Sequence, residues 1–142
     1  MNLLLVEDDP DIRSVIELSL SLDPAFSVTS FVSAEDALID IAMTDKVFEA
    51  ALLDYQLPGM NGIELHRRLV GLSAMTDIMT LLITAQIDDD HVRSYRSSGI
   101  SGVIAKPFDV LTLAKDVRVL AQERKAKPGA FAWFGDRFRR RA

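Results

Sequence analysis

The feature that most constrains this chain is a repeating alternation. Short apolar runs, all but the second stopping abruptly on a polar residue, take turns with longer segments whose apolar residues recur every three or four positions. Asn2-Leu-Leu-Leu-Val6 is too short for a helix, lacks polar alternation and stops at Glu7 and Asp8, the pattern of a strand buried on both faces. After Pro10, the segment from Asp11 to Leu22 places Ile12, Val15, Ile16, Ser19 and Leu20 at helical spacing. Ala25 to Phe31 reads as a second strand, and Ser33-Ala-Glu-Asp36 opens a second helix as a capping box, with Ala34, Ala37, Leu38, Ile41 and Ala42 as its buried stripe. A third strand, Phe48 to Leu53, terminates at Asp54. Pro58-Gly-Met-Asn-Gly62 has the chemistry of a turn, and Ile63, Leu65, Leu69 and Val70 trace the helix after it. Ile78 to Ile83 is a fourth strand ending at Thr84, Asp88 to Ser97 a fourth helix, and Val103 to Ala105 a fifth strand. Lys106-Pro107-Phe108 follow, and Asp109 is expected to cap a last helix carrying Val110, Leu113, Val117 and Leu120 on one side.

Five strands alternating with five helices predict an α/β fold, a doubly wound parallel sheet covered on both faces, because parallel strands need crossovers and helices are the usual crossover. The 142 residues suffice for one such domain. The chain has no cysteine, which excludes disulfides, thiolate metal sites and cysteine nucleophiles, and two histidines are too few for a histidine metal cage. His66 and His91 are expected on helix surfaces. There is no basic, apolar leader and no run near the ~20 apolar residues of a membrane span, so a cytoplasmic protein is expected. Neither a Walker nor a dinucleotide fingerprint is present.

In open sheets of this class ligands bind at the carboxyl ends of the strands. Those ends carry Glu7 and Asp8, then Asp54, Thr84 and Lys106. Converging carboxylates repel one another and are tolerated with a bound cation or raised pKa values. An all-oxygen, partly solvated site suits Mg²⁺, with Asp8 as a direct ligand and Glu7 holding the ion through water. The remaining groups fit phosphoryl transfer: Asp54 as the nucleophile that forms an acyl phosphate, Lys106 pairing with phosphoryl oxygens and Thr84 donating a hydrogen bond to one. Asp9 reads as a helix-entry acid before Pro10, and Asp88-Asp-Asp90 as a helix start favoured by the helix dipole.

Leu5-Val-Glu-Asp-Asp-Pro10, Leu53-Asp54-Tyr-Gln-Leu-Pro58-Gly-Met-Asn-Gly62, Ile83-Thr84-Ala85 and Ala105-Lys106-Pro107-Phe108 together resemble the receiver domain of two-component response regulators, over residues 2 to about 122. The resemblance implies a flavodoxin-like strand order 2-1-3-4-5. It implies that Asp54 accepts a phosphoryl group from a phosphohistidine on a sensor histidine kinase or histidine phosphotransfer protein, with Mg²⁺ held by Asp8, Asp54 and the backbone carbonyl of Gln56. It further implies a cis Lys106-Pro107 peptide, a Thr84 that moves toward the phosphate, and effector contacts through the fourth helix, fifth strand and fifth helix. No output segment is recognisable after residue 122, so a stand-alone, complete receiver is expected.

Two positions depart from or qualify that pattern. Val103 stands where the family usually carries a switch aromatic, three residues before the lysine, which makes Tyr95 of the fourth helix the candidate substitute. Gln56 stands where the family tunes the attacking water. An aspartyl-nucleophile Mg²⁺ phosphohydrolase is disfavoured by the same residue, since such enzymes generally have a second aspartate there. A phosphorylation-independent pseudo-receiver is disfavoured by the intact Asp8, Asp54, Thr84 and Lys106.

Charge divides the chain. Residues 1–120 carry nine Lys and Arg against nineteen Asp and Glu, net −10, which disfavours nucleic-acid binding by the body; residues 121–142 carry seven against two, net +5. Residues 123–142 therefore form a basic tail in which Phe131, Phe134 and Phe138 recur at helical spacing beside Trp133. An amphipathic helix is the expectation there, directed at the body, a dimer mate, a partner or an anionic membrane.

Overall fold

The apolar runs pair with one another in the interior, where backbone groups can be satisfied only by a ladder. The computed structural model describes residues 1–44, 46–134 and 139–141. The chain runs β1 (Asn2–Val6), α1 (Pro10–Ser21), β2 (Ser27–Phe31), α2 (Ala34–Met43), β3 (Ala50–Asp54), α3 (Gly62–Val70), β4 (Met79–Thr84), α4 (Asp89–Ser97), β5 (Gly102–Ala105), α5 (Leu113–Ala126), β6 (Ala132–Phe134) and β7 (Arg139–Arg141), with a short 3-10 turn at Ser73–Met75.

The sheet order is β2-β1-β3-β4-β5-β6-β7. The first six strands are parallel and β7 is antiparallel to β6. The expected order 2-1-3-4-5 is thus present, extended at the β5 edge. β3 and β4 are buried along their whole length, which is why they read as unbroken apolar runs. One face packs Leu4, Val6, Leu53 and Leu82 against Ala37 and Ile41 of α2, Leu65 and Leu69 of α3 and Tyr95 of α4. The other packs Leu3, Leu5, Leu52 and Leu81 against Ile16 and Leu20 of α1 and Val117 and Leu120 of α5. This is the three-layer arrangement expected, although Val15 and Ala42 of the predicted stripes remain exposed.

The helix starts follow capping chemistry. Asp9 accepts from the N–H groups of Asp11 and Ile12, Ser33 from Asp36, Asn61 from Glu64 and Asp88 from His91. Asp109 does not cap α5. Its carboxylate accepts the Leu111 N–H at 2.8 Å, closing a local turn, and the helix begins after Thr112. α5 continues to Ala126, so residue 122 lies within it.

The described part of the tail is strand, not helix. Pro128 and Gly129, the latter at φ 83°, end α5, and the open edge of β5 then supplies backbone partners. Phe131 and Trp133 join the face of α2–α4 while Ala132 and Phe134 join the other, the period of two proper to a strand. Arg137 and Phe138 lie outside the described residues.

His66 also departs from expectation. It is buried, with Nδ1 2.8 Å from Thr80 Oγ1, because α3 turns positions 62, 63, 65, 66 and 69 inward over β4. Burial holds its imidazole below the usual histidine range. His91 is half-buried and its Nδ1 lies 2.5 Å from Asp88 Oδ2. Among the described residues no helix is long and apolar enough to cross a membrane.

Candidate functional site

Strands β1, β3, β4 and β5 each deliver a polar residue to the same rim. Glu7 directly follows β1 and its N–H donates to the Phe31 carbonyl at 3.2 Å, so the side chain is carried over the sheet rather than away from it. Asp54 ends β3 opposite Ile83 of β4, and Thr84 is one residue further along. Lys106 directly follows β5 and donates its N–H to the Thr84 carbonyl at 2.9 Å; the Lys106-Pro107 peptide is cis.

Glu7, Asp8 and Asp54 each offer a carboxylate oxygen within 4.8 Å of the other two. Lys106 Nζ lies 3.4 Å from Asp54 Oδ2 and 4.0 Å from Glu7 Oε1. Asp54 Oδ1 accepts the Gln56 N–H at 3.1 Å, so each oxygen of the carboxylate faces a donor. Asp54 is 6% exposed and Glu7 1%, whereas Asp8 and the Gln56 side chain are exposed.

Three carboxylates beside one ammonium leave negative charge in a nearly dry place. Burial, reinforced by the neighbouring Asp54 carboxylate, pushes the Glu7 carboxyl up to about 8, against the opposing pull of Lys106. Glu7 Oε2 is buried without a hydrogen-bond partner. An orphaned oxygen in an all-oxygen cluster is what a hard divalent cation with retained waters accommodates, so the residues present fit Mg²⁺.

Thr84 is buried and its Oγ1 accepts the Gln86 N–H at 2.9 Å. The Gln86 carbonyl in turn accepts from the Tyr95 hydroxyl at 2.9 Å. Tyr95 is fully buried, 5.3 Å from the Tyr55 ring in an edge-on arrangement. Val103, at the position of the missing aromatic, lies buried in the same cluster as Tyr95 and pairs in register with Trp133 of β6. Gln86 carries no motif in the sequence, since it joins Thr84 and Tyr95 through its own backbone N–H and carbonyl. Arg13 was equally silent; its guanidinium donates to the Glu7 carbonyl at 2.9 Å and fixes the loop that presents Glu7 and Asp8.

Gly62 sets how closely α3 approaches this rim. An added Cβ would stand 2.9 Å from the Asp54 carbonyl oxygen and 2.8 Å from Leu82 Cδ2. The turn before it is closed by the Gly62 N–H donating to the Tyr55 carbonyl at 2.8 Å.

A sequence profile described as "Response regulator receiver domain" matches residues 3–118. Chemotaxis protein CheY-3 of Vibrio cholerae serotype O1 is 30% identical over 114 residues, which are 80% of this chain and 85% of that protein. Sensor histidine kinase AruS of Pseudomonas aeruginosa is 38% identical over 113 residues, 76% of this chain but 11% of that protein. The structure of chemotaxis response regulator CheY4 of Vibrio cholerae superposes with a TM-score of 0.75 at 23% identity, covering 84% of this chain and 97% of that one, a likeness of fold.

Proposed function

The chain belongs to the response regulator receiver family, and from that premise we propose that it is a cytoplasmic receiver whose Asp54 takes a phosphoryl group from a phosphohistidine in a Mg²⁺-dependent reaction. The observation that carries this reading is the convergence of Glu7, Asp8 and Asp54 within 4.8 Å, with the Lys106 ammonium 3.4 Å from Asp54.

The chemistry asked of these residues is positioning and charge neutralisation. Asp54 Oδ2 or Oδ1 attacks phosphorus, a P–O bond forms, the P–N bond to the donor imidazole breaks, and the released imidazole nitrogen recovers a proton. The Gln56 N–H and Lys106 restrict rotation of the carboxylate before attack. As the phosphoryl group arrives, Lys106 pairs with its oxygens and the Thr84 hydroxyl donates to one of them. Asp8, Asp54 and the Gln56 carbonyl would hold Mg²⁺, with Glu7 engaging it through water, and the ion would supply the additional positive charge that phosphoryl oxygens require. Hydrolysis breaks the acyl phosphate P–O bond by attack of water on phosphorus, and Gln56, two residues after Asp54 with its side chain exposed, is the residue we assign to tuning that attack.

The donor is a sensor histidine kinase or phosphotransfer protein, and the output is a change of protein contacts at α4 and α5. The β5 edge is already occupied by β6, so contact there requires the tail to move. Intact mass after incubation with acetyl phosphate tests the reading. A gain of one phosphoryl group that needs Mg²⁺ and disappears in Asp54→Ala is expected; no gain with Mg²⁺ present would overturn it.

A further inference from the structure

β6 closes a sheet edge from within the same chain, and the fit is specific. Gly102 of β5 pairs in register with Ala132, and any Cβ on Gly102 would stand 2.6 Å from the Ala132 carbonyl oxygen. Phe131 and Phe134 are buried on opposite faces of the sheet. Yet the hold is short. β6 has three residues, the bond from the Ala132 N–H to the carbonyl of Ser101, just before β5, is long at 3.4 Å, and Gly129 in the link has no neighbour within 4 Å of the place where a Cβ would be. Ordering residues 128–134 costs conformational entropy that opposes the apolar burial and the pairing of β6 with β5 and β7.

The seat of β6 is also tied to the phosphorylation site. Phe131 shares its buried cluster with Val103, Ile100 and Tyr95, and the Arg96 guanidinium lies over the Phe131 ring at 5.8 Å. Tyr95 is anchored to the Gln86 carbonyl, and the Gln86 N–H to Thr84 Oγ1. A continuous set of contacts thus runs from Thr84 through the β4–α4 loop to the two α4 residues that seat the tail.

Resting on the receiver reading, we propose that β6 is a strap that covers the β5 edge while Asp54 is unmodified and loosens when Asp54 is phosphorylated. When Thr84 turns its hydroxyl to a phosphoryl oxygen, Gln86 loses its acceptor, Tyr95 loses a fixed partner, and α4 relaxes its grip on Phe131. The β5 edge and the groove beside α4 then open to an effector. The strap supplies the aromatic groups that Val103 does not.

Trp133 is the chain's only tryptophan and lies in β6, so it reports on the strap directly. The full-length protein is treated with acetyl phosphate and Mg²⁺; intact mass gives the adduct, while hydrogen exchange of Ala132–Phe134 and acrylamide quenching of Trp133 give the strap. Phosphorylation is expected to speed exchange there about tenfold, an ordinary size for coupling between two sites, and to increase quenching, with β1 unchanged. Tyr95→Phe, which keeps the ring, is expected to form the adduct and to lose the difference between states. An adduct with unchanged exchange and quenching would overturn the strap and leave the receiver reading standing, as would a full strap response in Tyr95→Phe. No adduct would overturn the receiver reading and the strap with it.

Discussion

Lys106 Nζ stands 3.4 Å from Asp54 Oδ2, reaching across β4 from the end of β5 to the end of β3. That ammonium is a cation that Asp54 and Glu7 meet in the protein itself. Lys106→Ala removes it and leaves more uncompensated negative charge. Mg²⁺ should then bind about tenfold more tightly, since a partly buried charge a few ångströms away is worth one to several kcal/mol. Calorimetric titration checks this. Phosphoryl transfer from acetyl phosphate should slow in the same variant, because the group that pairs with the phosphoryl oxygens is gone.

Glu7 gives the metal-free protein a particular pH dependence. Its carboxyl is raised from 4.5 to about 8, so between those values the folded protein keeps a proton that the unfolded chain has released, and stability falls as pH rises. His66 acts oppositely: its pKa is lowered from 6.5 by burial, so its contribution grows with pH up to about that value. Above pH 6.5 Glu7 acts alone of the two. In chelator, wild type should lose about 2 kcal/mol of unfolding free energy between pH 6.5 and 8, at 1.36 kcal/mol per pH unit. Glu7→Gln, which imitates the protonated acid, should be flat over that interval. Urea unfolding at stepped pH measures both.

Thr80→Val keeps the shape of the β4 side chain and removes the hydroxyl 2.8 Å from His66 Nδ1. A buried ring nitrogen loses its partner, at a cost of about 1–3 kcal/mol. Chemical denaturation should show that loss while the yield of the Asp54 adduct stays that of wild type.

Gly62→Ala places a methyl 2.9 Å from the Asp54 carbonyl oxygen, so α3 or the end of β3 must shift. Overpacking of this kind costs about 1–3 kcal/mol. A slower phosphorylation rate accompanying the fall in thermal midpoint is expected, since the displaced backbone is the one that carries the nucleophile.

The strands β1, β3 and β4 were legible in the sequence because burial on both faces leaves an unbroken apolar run, and their polar ends, with that of β5, marked the rim that gathers Glu7, Asp8, Asp54, Thr84 and Lys106. Residues acting through backbone atoms left no such mark, which is why Gln86 was silent. His66 was misplaced because a single polar residue on an inward face looks like a surface residue until its partner Thr80, on another element, is known. The tail misled for a different reason. Phe131 and Phe134 fit a helical spacing while Phe131 and Trp133 fit a two-residue alternation, and the choice was made by a feature absent from the tail itself, the open edge of β5 with a glycine at position 102.

The most direct measurement reduces the acetyl phosphate-treated protein with borohydride, which converts an acyl phosphate on aspartate to homoserine, and locates the change by peptide mass spectrometry. Conversion at residue 54, dependent on Mg²⁺, is the result predicted. Conversion at any other carboxylate, or none in protein that is folded and Mg²⁺-loaded, would contradict the assignment of Asp54 as phosphoacceptor.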